Sequence, residues 1–229
     1  MSGQNKRMFS DICKNYDFMN HVMGLGLDIV WRGIAARESL IGKRSYAVLD
    51  IASGTGDLSI AISRACSRSG KEVAITGVDF NSDMLEIAKS KAEKLGLGIK
   101  FKVGDALALE FPNGSFDVVA SAFGLRNFDS LNTFTKEARR VLKKGGRLVL
   151  LEMAEPDRGL MRSIFKLYSK IILLEGMLVN RSAYSYLVSS IKRFDKQRLL
   201  AILEKRGFAE IKLVELPSKA AFLVTARRP

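Results

Sequence analysis

The chain has 229 residues, 47% of them hydrophobic, and its 37 lysine and arginine residues outnumber 24 aspartate and glutamate residues. This length and apolar content support one substantial core, and no low-complexity linker divides the chain. No stretch approaches the roughly 18 apolar residues of a membrane span, and the polar residues 1–6 contain no secretory hydrophobic region. We therefore expect a single cytoplasmic domain, residues 1–229.

The formal net charge of +13 attracts phosphate groups, either on a nucleic acid or on an anionic membrane surface. A solvated, lysine-rich surface accounts for the same charge without any partner. The chain contains no aromatic RNA-recognition motif and no appended RNA-binding module, so we expect no nucleic-acid partner.

The cysteine and histidine content argues against metal and hydrolase chemistry. Cys13 and Cys66 lie far apart without a C-x-x-C pair, and His21 is the only histidine. The chain also lacks the G-x-S-x-G motif of serine hydrolases. We expect no metal site and two reduced thiols.

Residues 1–42 precede the first core strand, and their pattern predicts mostly helix. Met8, Phe9 and Ile12 recur at helical spacing. This helical cap either covers the sheet or closes over a ligand to form part of a substrate pocket.

A predicted strand at residues 46–50 is followed by two glycines, Gly54 and Gly56, and by a helix at 57–69. Glycine permits both the tight turn and close approach of a ligand to the backbone, and the helix N-terminus offers unpaired N–H groups. The third glycine of the dinucleotide fingerprint is missing, which favours a smaller or zwitterionic ligand over a pyrophosphate. A lone G-x-G also occurs in ordinary turns.

Three successive predicted strands end in carboxylates. The first ends at Asp50, residues 73–78 lead to Asp79, and residues 99–103 lead to Asp105. In a parallel sheet these ends share the edge where ligands bind. Asp79 is placed to accept hydrogen bonds from ribose hydroxyls, and Asp105 to meet an adenine amino group.

The segment after Asp79 opens another predicted helix, with Asn81 or Ser82 as its N-cap. Met84 then lies either against an adenine face or in the ordinary core, since methionine fills irregular gaps.

A fourth apolar strand, residues 116–123, leads to Arg126 and Asn127 at the same edge. These two side chains are candidate substrate groups. In the alternative interpretation Arg126 pairs with a local carboxylate and Asn127 caps the next helix, although Asp129 or Ser130 offers a better cap.

The remaining pattern predicts the second half of a sheet. Residues 131–142 form a helix that ends at the glycines 145–146, and a fifth strand follows. A helix at 195–206 and strands near 208–215 and 220–226 complete a seven-stranded sheet with its last strand antiparallel.

Residues 157–181 form an additional predicted helix that is strongly apolar but has a basic stripe. Arg162, Lys166 and Lys170 recur every four residues. Such a helix buries its apolar face in the protein, lies on an anionic membrane, or borders an apolar channel.

The three acidic strand ends resemble those of class I S-adenosylmethionine-dependent methyltransferases, which hold methionine, ribose and adenine in turn. Four further segments resemble the UbiE/COQ5 family, the C-methyltransferases of ubiquinone and menaquinone biosynthesis. They are Tyr16-Asp17-x-Met19-Asn20 with Trp31, Phe123-Gly124-Leu125-Arg126-Asn127, the stretch 140–152, and Ala183-Tyr184-Ser185-Tyr186-Leu187 with Ser190-Ile191.

The resemblance implies an α/β, Rossmann-like, mostly parallel sheet with helices on both faces. It divides the domain into an N-terminal helical cap (1–42), a cofactor-binding core (43–153), a helical substrate or lid insertion (154–194), and a C-terminal helix and strand pair (195–229). It also implies methyl transfer from S-adenosylmethionine to a ring carbon of a polyprenylated hydroquinone, such as demethylmenaquinol or a ubiquinone precursor. O- or N-methylation of another small molecule is the closest alternative, and RNA methylation a more distant one.

By the same resemblance, Arg126, Asn127 and Tyr16 act at the substrate ring, the tyrosine through a bound water. The residues expected at the cofactor are Asp50, Ser53, Gly54, Thr55, Gly56, Asp79, Asn81, Met84, Asp105, Ala106 and Ala122. The expected partner is a polyprenyl quinol. Peripheral contact with the anionic inner face of the cell membrane and a homodimer stay open.

Overall fold

The structure, a computed structural model, describes residues 26–229 apart from residues 41, 43, 158, 180 and 218. Within the insertion it also leaves the side chains of residues 168 and 172–183 undescribed. Tyr16, and with it most of the N-terminal cap, lies outside the described residues.

Seven strands form the sheet: β1 (Ser45–Ile51), β2 (Glu72–Asp79), β3 (Lys100–Val103), β4 (Phe116–Ala122), β5 (Leu142–Met153), β6 (Ala209–Glu215) and β7 (Ala221–Arg227). The helices are α1 (Leu27–Glu38), α2 (Asp57–Arg68), α3 (Ser82–Lys94), α4 (Leu131–Val141), α5 (Leu160–Val179), α6 (Arg181–Arg193) and α7 (Lys196–Lys205), with a short 3-10 turn at Leu125–Asn127.

The strand order is β3-β2-β1-β4-β5-β7-β6. Strands β1 to β5 run parallel, and β7 is antiparallel to both β5 and β6. The predicted fold class is therefore confirmed. The chain proceeds outward from β1 to β3 and then returns to place β4 against the other side of β1. Open α/β sheets bind ligands at the carboxyl ends of two neighbouring strands whose connections leave in opposite directions, and here these strands are β1 and β4.

Helices cover both faces of the sheet because the central strands are apolar on both sides. Strands β4 and β7 are buried along almost their whole length. One core cluster contains Trp31 from α1, Met84 from α3 and Phe165 from α5, and the other contains Phe134 and Leu199 from α4 and α7. The helices of the insertion thus share one core with α1.

One boundary differs from the sequence-based expectation. The helix predicted to end at the glycines 145–146 ends at Val141, because Leu142 adopts an extended conformation and pairs with Phe116 of β4. Leu142 is fully buried there. Gly145, at φ +73°, lies inside β5, where the register against β4 shifts between Leu142 and Arg147, instead of ending a helix. Burial against a neighbouring strand outweighed the local helical pattern.

Candidate active site

Two of the three predicted carboxylates lie buried at neighbouring strand ends. Asp50 stands opposite Gly77 in the register of β1 and β2, and Asp79 ends β2. The Asp79 carboxylate accepts hydrogen bonds from the backbone N–H of Gly54 at 2.8 Å and of Asn81 at 2.9 Å. The end of β2 therefore holds the glycine turn that follows β1.

Asp50 has one satisfied and one unsatisfied oxygen. Its Oδ2 accepts a hydrogen bond from the Ser59 hydroxyl at 2.6 Å, while its buried Oδ1 has no partner among the described residues. Burial raises the pKa of the Asp50 carboxyl to about 7. The hydrogen bond from Ser59 lowers this pKa, the charge of Asp79 raises it, and the charge of Arg32 lowers it. Such a carboxylate favours a ligand that brings a positive charge.

The turn after β1 requires glycine at its second position. Gly56 has φ +84°, and a Cβ there would lie 3.0 Å from both the Ala88 Cβ and the Phe101 ring. Ala52 and Phe123, at φ +55° and +60°, adopt the left-handed conformation without being glycine. Non-glycine residues in this region carry strain, and such strain concentrates at functional sites.

A cavity of about 290 Å³ opens above these strand ends. Its polar lining includes Asp79, Asp105 and Asn127. The predicted cofactor residues that line it are Gly54, Asp79, Met84, Asp105 and Ala106. Its apolar walls come from Phe80, Met84, Leu107, Phe123 and Phe128, a lining that suits a flat base or ring.

A smaller polar recess adjoins the cavity and contains Asp50, Ser53, Thr55 and Ala122, all predicted cofactor residues. The Ser53 hydroxyl, like Asp50 Oδ1, is buried without a partner among the described residues. Arg32 of α1 also lines the recess. One cation, two carboxylates (Asp50 and Asp57) and an unsatisfied hydroxyl line this recess, which suits an α-amino-acid group because that group carries both charges.

Sequence reasoning missed Arg32. Its guanidinium pairs with Asp28 one turn earlier in α1, lies 3.8 Å from the Asp57 carboxylate, and stacks 5.1 Å from the Phe123 ring centroid. The available signal was an arginine four residues after an aspartate on one helix. Nothing in the local pattern indicated that α1 packs against α2 beside the glycine turn.

The other predicted cofactor residues support the site without lining either cavity. Asn81 caps α3, as its sequence position predicted, by accepting hydrogen bonds from the backbone N–H of Asp83 at 2.9 Å and Met84 at 3.2 Å. Gly56 is the N-cap of α2.

Arg126 and Asn127 take different positions. The Arg126 guanidinium is buried in an ion pair with the fully buried Glu152, whose carboxylate also accepts a hydrogen bond from the Arg126 backbone N–H at 3.1 Å. Asn127 lines the cavity, and its Oδ1 accepts a hydrogen bond from the Tyr186 hydroxyl of α6 at 2.9 Å. The cap of α4 is Ser130, not Asn127.

Arg126 borders a second groove next to the cavity. Phe128 and Asp129 line both the cavity and this groove. The pairing with a local carboxylate that the sequence left open is therefore present. Whether Arg126 and Tyr16 act on a substrate stays a prediction.

Across the described part of the chain, no three His, Cys, Asp or Glu side chains gather into a metal site.

Comparison with known proteins assigns the family. The model of the ubiE/COQ5 methyltransferase family matches residues 2–226. The chain belongs to this family. A demethylmenaquinone methyltransferase of Deinococcus radiodurans is 42% identical over 207 residues, which cover 89% of the chain and 84% of that protein. A ubiquinone/menaquinone biosynthesis C-methyltransferase of Rickettsia massiliae is 37% identical over 215 residues, covering 91% and 86%.

The methyltransferase also has the fold of a solved structure from Methanococcus maripaludis, described as a putative S-adenosyl-L-methionine-dependent methyltransferase. The TM-score is 0.67 at 19% identity, and the match covers 94% of this chain and 91% of that one. That likeness shows the shared fold, while the family match makes the chain an S-adenosylmethionine-dependent methyltransferase. The charged side chains of the recess, Asp50 and Arg32, have the chemistry to hold the ammonium and carboxylate of a methionine group, and the aromatic walls of the cavity suit an adenosine.

The pKa of Asp50 predicts that cosubstrate affinity depends on pH. A bound ammonium group favours the ionised form of Asp50. Below pH 7 the Asp50 carboxyl is mostly protonated in the free enzyme and must lose its proton when the ligand binds, so the affinity falls. Calorimetry with S-adenosylhomocysteine should show a nearly constant affinity above pH 7 and a loss approaching tenfold per pH unit below it. The Asp50→Asn variant should bind more weakly and show a flatter profile; an unchanged slope in that variant would contradict the assignment.

Proposed function

We propose that this methyltransferase transfers the methyl group of S-adenosylmethionine to a ring carbon of a polyprenylated hydroquinone. The relatives named above for demethylmenaquinone and for ubiquinone and menaquinone support this substrate class. The observation that supports it most is the lining of one cavity. Asp79, the carboxylate expected to bind the ribose, and Asn127 both line it, and Phe80, Phe123 and Phe128 form its aromatic walls.

S-adenosylmethionine would supply a methyl group on a sulfonium. As the ring carbon takes the methyl, the S–CH₃ bond breaks and the neutral thioether leaves; the ring carbon then loses its hydrogen as a proton to solvent, which restores the aromatic ring. The ring carbon becomes nucleophilic when its neighbouring hydroxyl loses a proton, so the protein must hold the ring in line and favour the phenolate. Asn127 holds the hydroxyl from the cavity wall, and the Tyr186 hydrogen bond to Oδ1 leaves its amide N–H groups free to donate. By the family resemblance, Arg126 would supply positive charge beside the developing oxyanion and Tyr16 would orient a proton-accepting water. In the structure the Arg126 guanidinium is paired with Glu152 and borders the groove next to the cavity.

Turnover of a substrate panel tests this function. The enzyme is incubated with S-adenosylmethionine and demethylated quinols with short prenyl tails, or with phenol and amine acceptors of similar size. We expect a product one methyl group heavier from the quinols, with the methyl on a ring carbon by NMR. An O-methyl or N-methyl product would replace this proposal with the corresponding methyltransferase. No product from any quinol would refute it.

The Asn127→Ala variant separates binding from chemistry. We expect its turnover of the quinol to fall roughly 100-fold, the rate loss typical of removing one hydrogen-bond donor to a developing oxyanion. Its affinity for S-adenosylhomocysteine should stay within about threefold. Asn132→Ala is the matched control, since Asn132 is exposed and accepts hydrogen bonds from Arg206 at the C-cap of α7. Equal turnover in the two variants would remove Asn127 from the site.

We also propose that the enzyme works in the cytoplasm, in peripheral contact with the inner face of the cell membrane, where a prenylated substrate resides. The described helices include none with the length and apolar content to cross a bilayer. The net charge of +13 favours contact with anionic lipid.

A further inference from the structure

Helix α5 exposes a row of large apolar side chains. Leu160, Ile164, Leu167 and Ile171 are 73%, 47%, 63% and 46% exposed, and Met161 beside them is 37% exposed. Their spacing of three and four residues places the four on one helix face. Phe165 and Ser169, on another face, are buried against the core. Over its described side chains, residues 160–171 apart from 168, α5 therefore has one apolar face toward the protein and a second one toward the outside.

A basic row borders the exposed face. Arg162, Lys166 and Lys170 follow each other at four-residue intervals and are all exposed. Two of them lie near the Glu155 carboxylate, Arg162 at 2.8 Å and Lys166 at 3.9 Å. Long basic side chains at the edge of an apolar face can reach lipid phosphates while their stems cover apolar surface.

Helix α5 carries the longest row of exposed large apolar side chains on the described surface. Helix α1 exposes three within its first turn, Leu27, Ile29 and Val30, while Leu95, Val103 and Val214 stand apart from one another. From Leu160 to Ile171 the row on α5 extends about 16 Å along one helix axis. A straight apolar row with cations along one side suits a flat, negatively charged apolar boundary.

We propose that this face of α5 docks the enzyme on an anionic lipid bilayer, with the helix lying in the plane of the interface. The proposal rests on the proposed function, because a prenylated quinol must be reached from the bilayer. Helix α5 packs against α6, and α6 donates the Tyr186 hydrogen bond to Asn127 in the cavity wall. The docked helix would thus belong to the same helix pair that borders the substrate end of the cavity.

Co-sedimentation with lipid vesicles tests the docking face. The full chain is mixed with phosphatidylcholine vesicles, with or without one quarter phosphatidylglycerol, at about 0.15 M salt. We expect binding to the anionic vesicles and at least tenfold weaker binding by the Leu167→Glu/Ile171→Glu double variant. The matched control, Leu95→Glu/Val214→Glu, introduces the same two charges at sites that are 45% and 52% exposed and should bind like the unmodified chain.

The basic row is tested separately. Lys166→Gln/Lys170→Gln should weaken binding to anionic vesicles by roughly 25-fold, about fivefold for each charge, and leave binding to neutral vesicles unchanged. Thermal unfolding and affinity for S-adenosylhomocysteine establish that each variant is folded.

Three results would overturn the proposal. The first is that the unmodified chain does not bind vesicles. The second is that the α5 double variant and its control lose vesicle binding equally. The third is that the unmodified chain is a dimer in solution and only the α5 double variant is a monomer. Turnover of a short-tailed, water-soluble quinol should be the same in all variants. Its absence in the unmodified chain would refute the proposed function and leave the vesicle result standing.

Discussion

The Arg126→Ala variant is expected to lose both stability and turnover. Removal of the guanidinium leaves the fully buried Glu152 carboxylate without its cation. Breaking a buried ion pair in this way lowers the free energy of unfolding by about 3–5 kcal/mol. In the proposed mechanism Arg126 also stabilises the substrate oxyanion, so its removal should lower turnover of the quinol roughly 100-fold. Urea denaturation and steady-state turnover measure the two effects.

A double variant separates these two contributions. Arg126→Met/Glu152→Gln removes both charges at similar volume, and the glutamine Oε1 can still accept the hydrogen bond from the Met153 backbone N–H, 2.8 Å long in the structure. We expect most of the stability to return, as for other neutralised buried pairs, while turnover stays low. Recovery of both would make Arg126 a structural residue, and full turnover in Arg126→Ala would refute its catalytic role outright.

The Asp79→Ala variant is expected to bind S-adenosylhomocysteine about 100-fold more weakly. In the proposed cosubstrate position this carboxylate accepts hydrogen bonds from both ribose hydroxyls. At about 1.5 kcal/mol each, the low end for bonds to a charged group, their loss gives the expected weakening. The change also releases the Gly54 N–H that holds the glycine turn. Calorimetry measures the affinity, and thermal unfolding reports any loosening of the turn.

Asp83→Ala supplies the control for this variant, because Asp83 is an exposed carboxylate four residues away in the first turn of α3. Its affinity should stay within about twofold of the unmodified chain, as for surface substitutions in general. If Asp79→Ala bound as tightly as Asp83→Ala, the ribose would lie elsewhere.

Local patterns predicted the elements that depend on short stretches of chain. The apolar strands, the turn with Gly54 and Gly56 and the Asn81 cap each depend on residues close in sequence, and the structure shows all of them. The neighbouring positions of Asp50 and Asp79 were also predictable, because parallel strands bring their carboxyl ends to one edge.

Contacts between distant segments were not predictable in this way. Arg32 reaches the recess only because α1 packs against α2, and Glu152 meets Arg126 only because β5 lies beside β4. The burial of Leu142 against β4 likewise decided the end of α4 over its helical pattern.

By itself the sequence determined the fold class, the carboxyl edge of the sheet and the family, since these follow from hydrophobic period and short motifs. Only the tertiary structure decided that Arg126 pairs with Glu152, that Asp50 and Arg32 line one recess, and that α5 has an outward apolar face. The physical reason is that a charge or an apolar side chain has a local identity, while its partner and its burial are set by packing between segments far apart in the chain.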